Sequence, residues 1–297
     1  MMSGNYSMRR ASHAGSWYAK SAKTLEKQLC SWMEKATNEQ NSAGGAQAII
    51  APHAGYSYSG PIAAFAYSNV RAENVERVFL LGPSHHYYLE NCALSNAEEY
   101  ETPLGNITID KQICQKLKET RLFSTMTKSQ DEEEHSLELH LPYIVHSLKG
   151  KEYKLVPVLV GNLTPESEKR FGSVFAEYLA DEKNLFVISS DFCHWGSRFN
   201  FMHYNKEDGE IFESIEKLDK MGMELIEKLD FDGFIKYLRE YGNTICGRHP
   251  IAVLLASIKA CPSEFSVKFV KYAQSSQCRS RKDSSVSYAS AIAITKK

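Results

Sequence analysis

No stretch of this chain stays apolar long enough to cross a bilayer, which excludes a protein built on membrane-spanning helices. Net charge is nearly absent as well: 35 lysines and arginines face 36 aspartates and glutamates, for a formal charge of -1. The chain therefore has no overall field to gather nucleic acid or anionic lipid, and no basic amphipathic helix stands out. The seven cysteines include no CxxC pair, and Met1 to Ala11 carries Arg9 and Arg10 with no apolar run behind them. Both features argue against a secreted disulfide framework and a structural zinc module, so the cysteines are expected to be reduced and the location cytoplasmic or nucleocytoplasmic. With 43% hydrophobic and 24% charged residues, the 297-residue chain has the composition of a folded globular protein and enough length for a substantial core.

What is present is an alternation of strand-like and helical runs. Strands are expected at 48–51, 78–82, 153–160 and 184–190, with helices near 110–120, 136–148 and 165–180 between them. Two helices follow near 208–229 and 232–241, another near 247–260, then strands near 267–273 and 286–294. This order predicts an α/β fold: one domain over residues 1–297, with a mostly parallel or mixed sheet flanked by helices. Residues 1–10 read as a flexible tail, Asn41 to Gly45 as a short linker, and the acidic run Asp131 to Glu134 as a solvated loop. Gln274 to Ser285, rich in serine and basic residues, reads either as a loop near the crevice or as a plain surface connection.

Three apolar runs end by delivering histidine or aspartate onto a loop: Ala48 to His53, Val78 to His86, and Leu185 to His194. As neighbouring buried strands they would meet at their carboxyl ends, where open α/β sheets usually bind ligands. His53 and His85 stand in turns bracketed by glycine and proline, and converging imidazoles suggest a metal. Asp191 and His194 read either as ligand and general base, as partners that orient ligating imidazoles, or as a helix cap and a histidine packed beside Trp195. Cys246 precedes an expected helix and Arg248, so a lowered thiol pKa is expected, for a metal ligand or an oxidant-sensitive group; a lone cysteine is more often inert. His135 and His140 lie five apart and diverge by roughly 140° on a helix, so at most one of them can face the crevice. His13 and Trp17 read as packing of the N-terminal arm or as an aromatic wall for a ligand.

Taken together, 11–18, 51–58, 82–86, 134–143, 189–196 and 243–250 resemble the Memo family, and 274–278 and 283–288 add to the likeness. The family is named for a mediator of receptor-tyrosine-kinase-driven cell motility. The resemblance implies a fold similar to the class III extradiol dioxygenases and a copper or iron ion held by His53, His85 and Cys246, with Asp191 and His194 beside it. Cys246 replaces the carboxylate of those dioxygenases with an oxidisable thiolate, which argues against ring cleavage and for a redox role. The likeness also implies a phosphotyrosine peptide from a receptor tail or signalling protein as partner, for which Trp17, Tyr56 and Arg198 are the candidate contacts. It leaves a non-haem iron dioxygenase-like oxidoreductase and a metal-free adaptor as alternatives.

Overall fold

The computed structural model describes residues 6–40 and 44–296. In chain order the elements are β1 (Tyr6–Arg9), α1 (Ala22–Glu39), β2 (Ala48–Ala51), α2 (Tyr56–Tyr67), β3 (Arg77–Pro83), β4 (Cys92–Leu94), β5 (Ala97–Tyr100) and β6 (Ile107–Thr108). Next come α3 (Lys111–Glu119), β7 (Phe123–Thr125), α4 (Lys128–Glu133), α5 (His135–Glu138), α6 (Leu141–Ser147), β8 (Lys154–Val160) and α7 (Pro165–Leu179). The chain continues through β9 (Asn184–Ser189), β10 (His194–Trp195), α8 (Ile211–Glu227), α9 (Phe231–Tyr241), α10 (Arg248–Ala260), β11 (Phe265–Gln274) and β12 (Ser285–Thr295).

The uninterrupted apolar runs become the centre of a nine-stranded mixed sheet ordered β10-β12-β2-β9-β3-β8-β4-β7, with β11 on the far side of β12. β2, β9, β3 and β8 are parallel, as in Ile49 opposite Val187 and Phe79 opposite both Phe186 and Val156. Both faces of these strands are buried, which is why they carry no polar alternation. Phe79 stacks on Phe186 at 4.7 Å between ring centres, and Phe175 of α7 meets the Phe79 ring edge-on. A Cβ on Gly172 would strike Ala256, so α7 and α10 pack together at a separation only glycine permits. β11 forms the outer rim, with a bulge between Phe269 and Lys271 and an exposed Lys268.

Three expectations are corrected. The helix expected over 136–148 is two helices, α5 and α6, because Pro142 in the first turn of α6 has no N–H and crowds the preceding turn. The tail expected over residues 1–10 is structured from Tyr6: β1 pairs with β5, and Arg9 is wholly buried. Its guanidinium donates to Glu138 at 2.6 Å and to the carbonyls of Asp131 and Glu134, which fixes the strand against the crevice wall. Residues 1–5 of that tail, and 41–43 of the expected linker, lie outside the described residues. The acidic run is not a solvated loop either, since Asp131 and Glu134 are fully buried while Glu132 and Glu133 look outward. Tyr6, Ser95 and Tyr100 all donate hydroxyls to Asp131. The 274–285 segment closes the β11–β12 hairpin, and its buried Cys278 accepts the Phe212 amide through its carbonyl. Among the described residues no helix is long and apolar enough to cross a membrane.

Candidate metal centre

β2, β3 and β9 are adjacent and parallel, so their carboxyl ends open onto one crevice. His53, two residues beyond β2, is 2% exposed. His85, two beyond β3, stands at the rim with its side chain 26% exposed, and His135 opens α5 between them. The His53, His85 and His135 rings each offer a nitrogen within 4.8 Å of the others. Cys246, in the loop before α10, places its sulfur 3.3 Å from His53 Nε2 and against His85.

The hydrogen bonds behind the rings decide which nitrogen faces the crevice. Ser189 Oγ spends its proton on the Ser136 carbonyl at 2.7 Å, so it accepts from His53 Nδ1 at 2.6 Å and from His140 Nε2 at 2.9 Å. His140 Nδ1 in turn accepts the Tyr67 hydroxyl at 2.8 Å. His53 therefore carries its proton on Nδ1 and presents a bare Nε2 lone pair. Burial, reinforced by His85, holds the His53 pKa well below its ordinary value and so keeps the ring neutral. Burial lowers His135 and His140 to about 3 as well.

Glu134 anchors the rim. One oxygen takes His85 Nδ1 at 2.9 Å, and the other takes the His85 amide at 2.8 Å. Burial would raise this carboxyl, but its bonds to His85 and the charge of that ring hold it down to about 2. His85 moves the other way, up to about 10, as Cys246 and Glu134 outweigh its burial. A Cβ on Gly82 would collide with Ser136 and Leu137, so only glycine at the end of β3 lets α5 close over the strand.

Cys246 departs from the sequence expectation. α10 begins two residues later at Arg248, yet burial pushes the thiol up, with the His85 contact only opposing that rise. The sulfur accepts the Asp191 amide at 3.2 Å. One oxygen of Asp191, Oδ1, accepts the His53 amide at 2.9 Å, bracing that turn. His194 donates Nδ1–H to the carbonyls of Phe192 at 2.9 Å and Thr244 at 3.1 Å, which leaves its Nε2 bare. Its ring meets Phe199 edge-on, and the Arg198 guanidinium lies over the Phe199 ring, 4.4 Å from its centre.

The expected aromatic contacts divide. Trp17, 37% exposed, lies over His135 with 4.5 Å between ring centres, so it forms part of the mouth. Tyr56 does not: it is buried in the core beside Tyr18 and Tyr143, and its hydroxyl is spent on the Leu139 carbonyl. The family resemblance grouped His53, His85 and Cys246, while the sequence let one of His135 and His140 face the crevice without choosing between them and gave no role to Glu134 or Ser189. The five-residue offset of His135 from His140 was the available signal: one ring enters the crevice and the other stands behind it on Ser189.

The donor set suits a transition metal. His53 offers a neutral imidazole with a bare Nε2, His53 and His85 are each held from behind through Nδ1, and the Cys246 sulfur lies against both rings, which is the nitrogen and sulfur set such an ion takes once His85 and the thiol give up their protons. A family model described as Memo-like protein matches residues 9–292. The chain is 51% identical to Protein MEMO1 of Danio rerio over 99% of each chain. It is 50% identical to Protein MEMO1 of Homo sapiens, covering 97% of this chain and 98% of the other. Against Protein memo-1 homolog of Caenorhabditis elegans the identity is 45%, over 96% of this chain and 82% of that protein.

Proposed function

Because the chain belongs to the Memo family, we propose that its crevice binds a copper or iron ion through His53, His85 and Cys246, with His135 as an additional donor, in a redox role. The observation that carries this reading is the relay from Tyr67 through His140 and Ser189, which fixes His53 in the tautomer a metal needs. When bound, such an ion supplies one-electron redox chemistry, and a sulfur donor favours the softer oxidation states. Binding would release the protons carried by His85 and by the Cys246 thiol. His194, with a bare Nε2 beside Asp191, is the group suited to hold or pass a proton next to the ion, and Asp191 keeps the His53 turn in place. A thiolate where the extradiol enzymes use a carboxylate argues against ring cleavage.

A second reading, docking of a phosphotyrosine segment from an activated receptor or signalling protein in the cytoplasm or nucleus, draws support from the mouth. Trp17 offers an exposed ring there and Arg198 an exposed cation. On this reading the crevice links receptor signalling to the cytoskeleton and to cell motility.

Metal analysis of protein purified without chelator tests the first reading against His53→Ala and Cys246→Ala. About one equivalent is expected in the parent and well under half in either variant; equal loading in all three overturns the ligand assignment. A phosphotyrosine peptide titrated into the same samples is expected to lose affinity in Trp17→Ala, and binding indifferent to metal loading would mark an adaptor that does not need the ion.

A further inference from the structure

We propose a second metal site, distant in chemistry from the crevice, formed by Glu26, Cys30 and His146 and suited to Zn2+. Leu25 and Leu29 are buried and set the rotation of α1. Glu26 and Cys30 each follow one of them, so they stand one turn apart on the same edge of the helix. α6 runs alongside, and His146 lies in its last turn. The three residues each offer one donor atom, and the three atoms lie within 4.8 Å of one another.

A second observation points to an occupant. His146 Nδ1 is buried and has no hydrogen-bond partner among the described residues. It faces Glu26 Oε2 at 3.7 Å, too far for a hydrogen bond. Two donors each about 2.0–2.1 Å from one tetrahedral ion sit roughly 3.4 Å apart, so a small inward movement satisfies both. Lys149 donates to the other oxygen, Oε1, at 2.9 Å, which orients Glu26 and leaves Oε2 free. Its own side chain is largely exposed and can turn away from a cation.

The donor types select the ion. A thiolate and a carboxylate balance a dication, a neutral imidazole completes three ligands, and the exposed side of Cys30 leaves a fourth position for water. Sulfur and nitrogen disfavour Ca2+ and Mg2+, which take oxygen. A bound Zn2+ would clamp α1 to α6.

Zn2+ titration of the full chain against a chromophoric chelator tests the site. Cys30→Ser and His146→Gln are each expected to lose one equivalent, or to bind it at least about tenfold more weakly, while the crevice equivalent stays. In a Cys246→Ser background the same equivalent is expected to remain until Cys30→Ser is added, so failure of the crevice reading leaves this test intact. In the unmodified protein Zn2+ is expected to slow iodoacetamide labelling of Cys30, read by peptide mass. Parent-like titration by both single variants, or labelling of Cys30 at the same rate with and without Zn2+, overturns the proposal.

Discussion

Glu134 shows how much one side chain decides in the crevice. It receives both the ring and the amide of His85 while buried, so its charge sets the position of the rim imidazole and the basicity of Nε2. Glu134→Gln keeps the shape and removes the charge. Metal affinity, measured by competition titration, is expected to fall about 10- to 100-fold, the usual cost of losing a carboxylate behind a ligating histidine. Parent-like affinity would show that His85 does not depend on it. Little of this was legible beforehand. Within four consecutive acids, nothing distinguishes the two that turn inward, since the partners that bury them are Arg9, Tyr6, Tyr100 and His85, far away in the chain. His53, His85 and Cys246 were legible through strand ends and motif likeness. Tyr56 misled because the same motif that turns His53 into the crevice starts a buried helix.

At the scale of elements, the loop that carries Cys246 is held by close contact with the end of β9. The Gly247 amide donates to Ser190 Oγ at 3.1 Å, and a Cβ at Gly247 would collide with Ser190 and the Ser189 carbonyl oxygen. Gly247→Ala is therefore expected to lift the sulfur away from His53. Metal content and thiolate-to-metal absorption should drop while far-UV circular dichroism is preserved; full absorption in the variant would mean the loop is not so constrained. The long elements could be read from sequence because each obeys one period: β2, β3 and β9 have uninterrupted apolar centres, and α7, α8 and α9 have capped starts and amphipathic faces. α2 could not, because nine of its twelve residues are buried and no polar stripe marks its period. β4 to β7 are two to four residues long, too short for a pattern to show.

Across the whole molecule, Asp219 ties α8 to the residue preceding β10, to the loop before Cys246 and to β11. It accepts the Cys193 amide at 3.2 Å, Asn243 Nδ2 at 2.9 Å and the Tyr272 hydroxyl at 2.9 Å. Burial nevertheless pushes its carboxyl up to about 6. The native protein thus holds this proton more tightly than the unfolded chain, where the pKa is near 4. Its contribution to stability is greatest below about pH 4, declines as pH rises from about 4 to 6, and is constant above. Asp219→Asn is expected to remove that decline, so the variant gains on the parent by roughly 3 kcal/mol between pH 4 and 7. Thermal unfolding followed across that range checks it, and parallel curves would refute it. Glu138 works in the opposite sense: despite burial, His13 and Arg9 hold it down to about 2, so its stabilisation is present above about pH 4.5 and is lost as pH falls toward 2.

The sheet's outer rim also bears on how copies of the molecule meet. β11 is kinked by its bulge and carries Lys268 outward, and β7, at the opposite rim, is three residues long. Neither border offers a flat, uncharged row of amides on which another chain could continue the hydrogen-bonded ladder, so concentrated solutions are guarded against fibre growth by strand addition.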